Sequence, residues 1–261
     1  AVKELVTDAN FDCSDEGIKL QAMDNSHVAL VSLNLAKSGF TEYRCDRDLS
    51  LGMSLASLQK IVKCAGNNDM VTLRADDSLD VLALLFEAKR ADRVGEYEMK
   101  LMDIDADHLG IPDTVYDAEI SLSSAEFARI IRDLKELGES VKIEVSKEGV
   151  RFSADGDIGS ASKTAAGSGK KGGKKADGEK EDEGVKINLQ QAVALTFSIK
   201  YLSNFAKSTP LAERVRLHMS NEVPLLVEYA FDQGHIRYYL APKIAVSSCL
   251  LRVGSAARAS R

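Results

Sequence analysis

Short stretches in which apolar and polar residues alternate dominate this chain. Residues 18–22, 27–35, 70–75, 81–88, 141–145, 149–154, 185–189, 215–220 and 225–229 all carry this period of two, which predicts strands. Alternation belongs to antiparallel sheets with one wet face, whereas strands buried on both faces read as uniformly apolar runs. Helical spacing is rarer. Ser54 can cap a segment with Leu55, Leu58, Ile61 and Val62 on one face, which Gly66 stops. Ser123 and Glu126 make a capping-box pattern ahead of Phe127, Ile130, Ile131, Leu134 and Leu137, ending at Gly138. A third helix is predicted over residues 199–207, with Tyr201, Leu202 and Phe205 inward and Pro210 just beyond, and residues 1–8 read as the remnant of a fourth.

The chain also repeats itself. Ser14-Asp-Glu-Gly-Ile-Lys-Leu-Gln-Ala22 recurs as Ser146-Lys-Glu-Gly-Val-Arg-Phe-Ser-Ala154, each copy preceded by a short helical pattern. Copies of one helix-plus-strands unit point to a symmetric scaffold rather than to a single-pocket enzyme. Four helices put cations on their polar faces: Lys3; Lys60 and Lys63; Arg129, Arg132 and Lys135; Lys200 and Lys207. One such face is ordinary for a solvated helix. Four in a chain of net charge −6 set up a local field that the net charge conceals, although Glu126, Asp133 and Glu136 dilute it on one helix.

Composition narrows the picture. Hydrophobic residues at 44% with charged residues at 28% give a globular chain with a real core. No apolar run is long enough to span a bilayer, and no membrane partner is expected. The cysteines at 13, 45, 64 and 249 form no CxxC pair, and His27, His108, His218 and His235 show no metal-ligand spacing. No metal and no cofactor are therefore expected. Asp24 and His27 lack a nucleophile, so that pair reads as structural. The Gly-Lys-rich stretch lacks the order, and the flanking strand and helix, of a phosphate-binding loop. Nothing in the sequence supports an enzyme. Residues 159–184 contain no large apolar side chain after Ile158 and read as a mobile insert, while the residues after Ile244 change character to apolar and basic.

Several runs resemble the eukaryotic DNA sliding clamps, the proliferating cell nuclear antigen family. They are Leu20-Gln-Ala-Met-Asp-Asn-Ser-His-Val-Ala-Leu-Val, Tyr43-Arg-Cys-Asp-Arg-Asp-Leu, Ile61-Val-Lys-Cys-Ala-Gly-Asn, and Tyr97-Glu-Met-Lys-Leu-Met-Asp-Ile-Asp with Leu109-Gly-Ile-Pro. Gly149-Val-Arg-Phe-Ser-Ala, Val223-Pro-Leu-Leu-Val-Glu-Tyr and His235-Ile-Arg-Tyr-Tyr-Leu-Ala-Pro-Lys-Ile complete the set. The resemblance covers residues 1 to about 244 and implies an α+β clamp fold: two similar domains per subunit in a pseudo-sixfold, head-to-tail homotrimeric ring. It implies that Lys3, Lys60, Lys63, Arg129, Arg132, Lys200 and Lys207 face duplex DNA without reading its sequence. It also implies a groove for PIP-box partners at Met23, His27, Val28, Leu30, Leu109, Ile111, Pro224, Tyr239, Leu240, Ala241 and Pro242. Tyr97 would lie at the subunit boundary, and Lys147 would be a ubiquitin attachment site. The partners implied are DNA polymerase delta, a clamp loader, flap endonuclease, DNA ligase and other PIP-box proteins, in the nucleus.

On this basis the chain divides into an N-terminal domain at 1–102, a connector at 103–117, a C-terminal domain at 118–244 with an insert at 159–184, and an atypical tail at 245–261. The chain departs from the family pattern in a first strand that is missing, in this tail, and in the boundary strand after Ile158. There Gly159-Ser-Ala-Ser-Lys-Thr-Ala-Ala are poor strand formers, so a weakened trimer is expected. The alternative is a truncated or divergent clamp-like adaptor that binds PIP-box proteins without forming a ring around DNA.

Overall fold

The computed structural model describes residues 1–75, 80–89, 93–105, 109–112, 114–166 and 184–243. The predicted site or motif positions His108 and Cys249, most of the insert, and the tail lie outside them.

A 3-10 turn at Val2–Glu4 leads into β1 (Asp8–Ser14), β2 (Gly17–Met23), β3 (Ala29–Ala36) and β4 (Leu49–Ser54), then α1 (Leu55–Val62). Next come β5 (Asp69–Ala75), β6 (Val81–Ala88) and β7 (Val94–Lys100). The second half opens with β8 (Ala118–Ser123), α2 (Ser124–Lys135), β9 (Ser140–Ser146), β10 (Gly149–Gly156) and β11 (Gly159–Ala166). It closes with β12 (Lys186–Leu189), β13 (Val193–Ser198), α3 (Ile199–Phe205), a 3-10 segment at Ala206–Leu211, β14 (Arg214–Met219), β15 (Leu225–Phe231) and β16 (Gly234–Leu240). The fold is α+β with antiparallel pairing throughout. Nine strands in the order β12-β8-β14-β15-β16-β3-β2-β1-β4 form one sheet that runs through both halves, joined where Tyr238 of β16 pairs with Val31 of β3. Two smaller sheets, β11-β10-β9-β13 and β5-β6-β7, flank it.

The sequence repeat falls on two equivalent hairpins. Ser14 pairs with Gly17 and Ser146 with Gly149; in each turn the serine hydroxyl accepts an N–H, from Glu16 and Glu148 respectively, at 3.3 Å. Gly17 and Gly149 have φ of 141° and 155°, which L-residues with a Cβ rarely adopt. A Cβ on Gly17 would also lie 2.2 Å from the Leu35 carbonyl oxygen.

A second repeat is visible only in three dimensions. Each helix starts without a gap from a strand, behind a serine: Ser54, Ser123 and Ser198. The first helical N–H then donates to a carbonyl of another segment, Leu55 to Thr7, Ser124 to Glu213 and Ile199 to Glu139, at 2.9 to 3.0 Å. These contacts satisfy one of the orphan donors of each helix end, and none of the three serines makes a side-chain cap bond. The capping box predicted from Ser123 and Glu126 is therefore absent, and Glu126 pairs with Arg129 at 2.7 Å instead.

Helices α2 and α3 cover the inner face of the large sheet. Phe127, Ile130, Ile131, Leu134, Leu202 and Phe205 pack with Ile120, Leu217, Val227 and Tyr238 in one core. A smaller core of Leu51, Met53, Leu82, Leu84, Phe86 and Met99 lies against Leu58 and Ile61 of α1. Val62, predicted on the apolar face of α1, is instead 47% exposed at its last turn.

Two further expectations are corrected. Residues 1–8 hold a single 3-10 turn rather than a helix remnant, because Val6 is drawn into the core, Thr7 gives its carbonyl to Leu55, and Asp8 already pairs with Ser54. The predicted insert does not begin at residue 159. Gly159–Ala166 is β11, paired residue for residue with β10 from Gly156↔Gly159 to Gly149↔Ala166. A ladder along the whole strand overrides the weak propensity of its residues.

Candidate functional site

The helix-bearing side carries the predicted cations. On α2, Arg129 and Arg132 are exposed opposite the buried face formed by Phe127, Ile130, Ile131 and Leu134. Arg132 lies 3.2 Å from Asp133, which also receives Lys163 from β11. Lys3 and Lys207 are brought together by Glu4, at 3.5 and 2.7 Å, so the first turn and the 3-10 segment that follows α3 form one patch. Asn204 adds a bond to the Glu4 carbonyl at 3.3 Å. Lys60, Lys63 and Lys200 are exposed and make no ion pair among the described residues. Thus four of the seven predicted contacts share a carboxylate and three do not. Exposed pairs of this kind hold side chains loosely and are screened by salt, so they can be exchanged for another anion.

The opposite side of the large sheet carries the second predicted site. Register places Met23, Leu30, Tyr239 and Leu226 side by side on four adjacent strands, hence on one face. Val28 joins the end of this row by accepting the Ala241 N–H at 3.0 Å, and the exposed Pro224 sits at the start of β15. His27 occupies a left-handed turn (φ 54°) with Nδ1 3.1 Å from the Met23 sulfur. The connector crosses this face. Met102 N–H reaches the Gly52 carbonyl, Asn10 bonds the Ile104 carbonyl, and Asp117 N–H reaches Ser220. Gln21 clamps Leu109 twice, donating to its carbonyl and accepting its N–H, both at 2.8 Å. Leu109 and Ile111 are left 42% and 37% exposed above the row, two apolar side chains in water at the rim of a groove.

Leu240, which the resemblance also places at the groove, has its side chain in the core. The alternation of β16 turns Tyr238 and Leu240 into the core, both fully buried, and Tyr239 outward. Pro242, half-buried, and Ala241, exposed, follow at the strand end.

Two residues beside these positions, Gln21 and Tyr116, escaped the sequence reading. Gln21 is the connector clamp just described. Tyr116 sets its ring, tilted by 54°, 5.4 Å from that of His218, whose Nδ1 lies 3.6 Å from Glu119. Asp24 is buried behind the His27 turn, where it accepts N–H bonds from Ser26, Val28 and Ala29. This is what the sequence reads as an isolated Asp–His pair, and its role is structural. Among the described residues no three His, Cys, Asp or Glu side chains cluster as a metal would require, and no helix is long and apolar enough to cross a membrane. Cys13, Cys45 and Cys64 are free thiols.

Comparison with known proteins bears directly on these surfaces. Residues 1–109 match the family described as proliferating cell nuclear antigen, N-terminal domain, and residues 110–243 match its C-terminal domain. The two matches meet inside the connector. The proliferating cell nuclear antigen of Chaetomium thermophilum is 53% identical over 245 residues, which is 94% of this chain and 92% of that protein. The chain belongs to the proliferating cell nuclear antigen family. It is accordingly a sliding clamp of DNA replication, a processivity factor with no catalytic chemistry of its own. The family assignment accounts for a chain whose two halves carry the same hairpin and the same strand-to-helix junction.

Proposed function

We propose that this clamp closes as a head-to-tail homotrimer around duplex DNA, with the α1, α2 and α3 faces toward the phosphates and the connector groove outward. The observation that carries the proposal is a free sheet edge in each half of the chain, β7 and β11. Among the described residues β7 pairs only with β6 and β11 only with β10, so β7 in the first half and β11 in the second each end their sheet, as β4, β5, β12 and β13 also do. An unpaired edge is a template for another strand, and joining unlike edges head to tail closes a ring when the rotation fits. Tyr97 lies at the middle of β7, its ring 5.2 Å from Phe86, at the boundary so formed.

Lys3, Lys60, Lys63, Arg129, Arg132, Lys200 and Lys207 then supply a loose cationic lining. Phosphate contacts give attraction without sequence information and weaken with salt, which suits sliding. The groove formed by Met23, His27, Val28, Leu30, Leu109, Ile111, Pro224, Tyr239, Ala241 and Pro242 receives the aromatic anchors of a short helical turn. Its partners are PIP-box proteins, among them DNA polymerase delta, the clamp loader, flap endonuclease and DNA ligase, acting in the nucleus. Lys147, exposed on the turn between β9 and β10, is the modification site.

The test is topological. A eukaryotic clamp loader with ATP places the protein on a nicked circular plasmid, and gel filtration separates plasmid-bound from free protein. The protein is expected to elute with the circle and to be lost when one restriction cut linearises it. Equal retention before and after the cut would refute encirclement.

A further inference from the structure

We infer that Tyr201, on the DNA-facing helix α3 of the C-terminal half, is a positioning residue for the partner groove of the N-terminal half. The inference rests on the groove proposed above. Tyr201 donates its hydroxyl to Asp24 Oδ2 at 2.7 Å, across 177 residues of chain. Asp24 is 6% exposed, and its Oδ1 accepts the Val28 and Ala29 N–H groups at 2.8 and 2.7 Å. Oδ2 also accepts the Ser26 N–H at 3.2 Å. The carboxylate therefore shapes the whole turn that carries His27, in its left-handed conformation, and Val28, and it sets where Met23 and Leu30 enter and leave that turn.

Burial alone would favour the neutral acid at Asp24. The Tyr201 hydroxyl and the three backbone N–H groups outweigh it and hold the carboxyl below its ordinary value, so the anion is the form present. Tyr201 is the one side chain among these donors, and it comes from another part of the fold. On either side of it on α3, Ile199 and Leu202 are buried, so the helix cannot shift to release the hydroxyl without leaving the core. Lys200 immediately precedes it on the exposed side. A groove wall in one half is thus held by an element whose other face looks toward DNA.

Removing the hydroxyl leaves a buried anion short of one donor and frees the turn to sample other arrangements. Affinity then falls because the competent arrangement is a smaller share of the ensemble. The probe is a fluorescent synthetic peptide in which a leucine is followed, one helical turn on, by two phenylalanines, titrated against the full chain by anisotropy. Tyr201→Phe keeps the ring packing and is expected to weaken binding about threefold to tenfold, the range of a single lost hydrogen bond. Asp24→Asn is expected to do the same, and the double variant no worse than either alone. Amide hydrogen exchange should quicken at residues 26–29 of Tyr201→Phe while α3 keeps its protection, a local signature that general destabilisation would not give.

Tyr239→Ala serves as the control for the groove itself. If it binds the peptide as tightly as the unaltered protein, the groove reading fails and this inference with it. If Tyr239→Ala loses binding while Tyr201→Phe keeps full affinity and unchanged exchange at 26–29, the positioning role alone is overturned.

Discussion

Buried ionisable side chains in this clamp fall into two kinds, and they respond to acid in different ranges. Glu228 is 7% exposed, and burial opposes its ionisation. Arg237, which donates to it at 2.6 Å, and the charges of His218 and Arg216 outweigh that, so its carboxyl titrates below the ordinary range, as that of Asp24 does. Both contribute stability above the unfolded carboxylate pKa, about 4, and lose it as pH falls through their lower folded values. The histidines act earlier. Burial is the main force lowering His218 and His235; Glu119 and Glu228 oppose it at His218, Glu228 opposes it at His235, and nearby arginines reinforce it. A histidine whose folded pKa is depressed holds stability above the unfolded value of about 6.5 and gives it up as pH drops toward the folded one. Urea midpoints should therefore fall between pH 7 and 5.5, and His218→Gln should make that fall shallower. An unchanged or steeper fall in the variant would contradict the assignment.

At the scale of elements, the three strand-to-helix junctions carry the most testable detail. Replacing an N-cap serine usually costs about 1 kcal/mol, because its oxygen satisfies a helix N–H. Here Ser123 makes no cap bond, and the junction is held by the Glu213 carbonyl, which takes the Ser124 N–H. Ser123→Ala should accordingly cost under about 0.5 kcal/mol in urea denaturation; a loss of 1 kcal/mol or more would show that the hydroxyl caps in solution. The same junctions explain what could be read in the sequence. The three helices were legible from their apolar spacing, and most central strands from their alternation. Strands β1, β4, β7, β8, β13 and β16 were not predicted from the pattern; β4, β8 and β13 run straight into a helix without a turn signal, and Asp8-Ala-Asn-Phe-Asp-Cys-Ser has little alternation to see. Strand β11 was read as loop because its small residues have no intrinsic preference for a strand, and its order comes from pairing with β10. The helical cations needed only local spacing. Contacts at the groove needed cross-strand register, which is why Gln21, Tyr116 and the Asp24–Tyr201 bond were missed.

For the whole molecule, a net charge of −6 and a cationic helix face are compatible because a local field depends on where charges sit and not on their sum. Holding DNA by enclosure asks little of each contact and a great deal of the subunit boundary. That boundary is the proposed pairing of β7 with a β11 built from Gly159-Ser-Ala-Ser-Lys-Thr-Ala-Ala, so the ring should form but dissociate more readily on dilution than one with β-branched residues there. Multi-angle light scattering across a concentration series measures this directly. The account predicts a species near three times 28.3 kDa, about 85 kDa, giving way to monomer at the dilute end. A mass that stays near 28.3 kDa at every concentration would contradict the ring and leave a clamp-like adaptor that binds its partners without enclosing DNA.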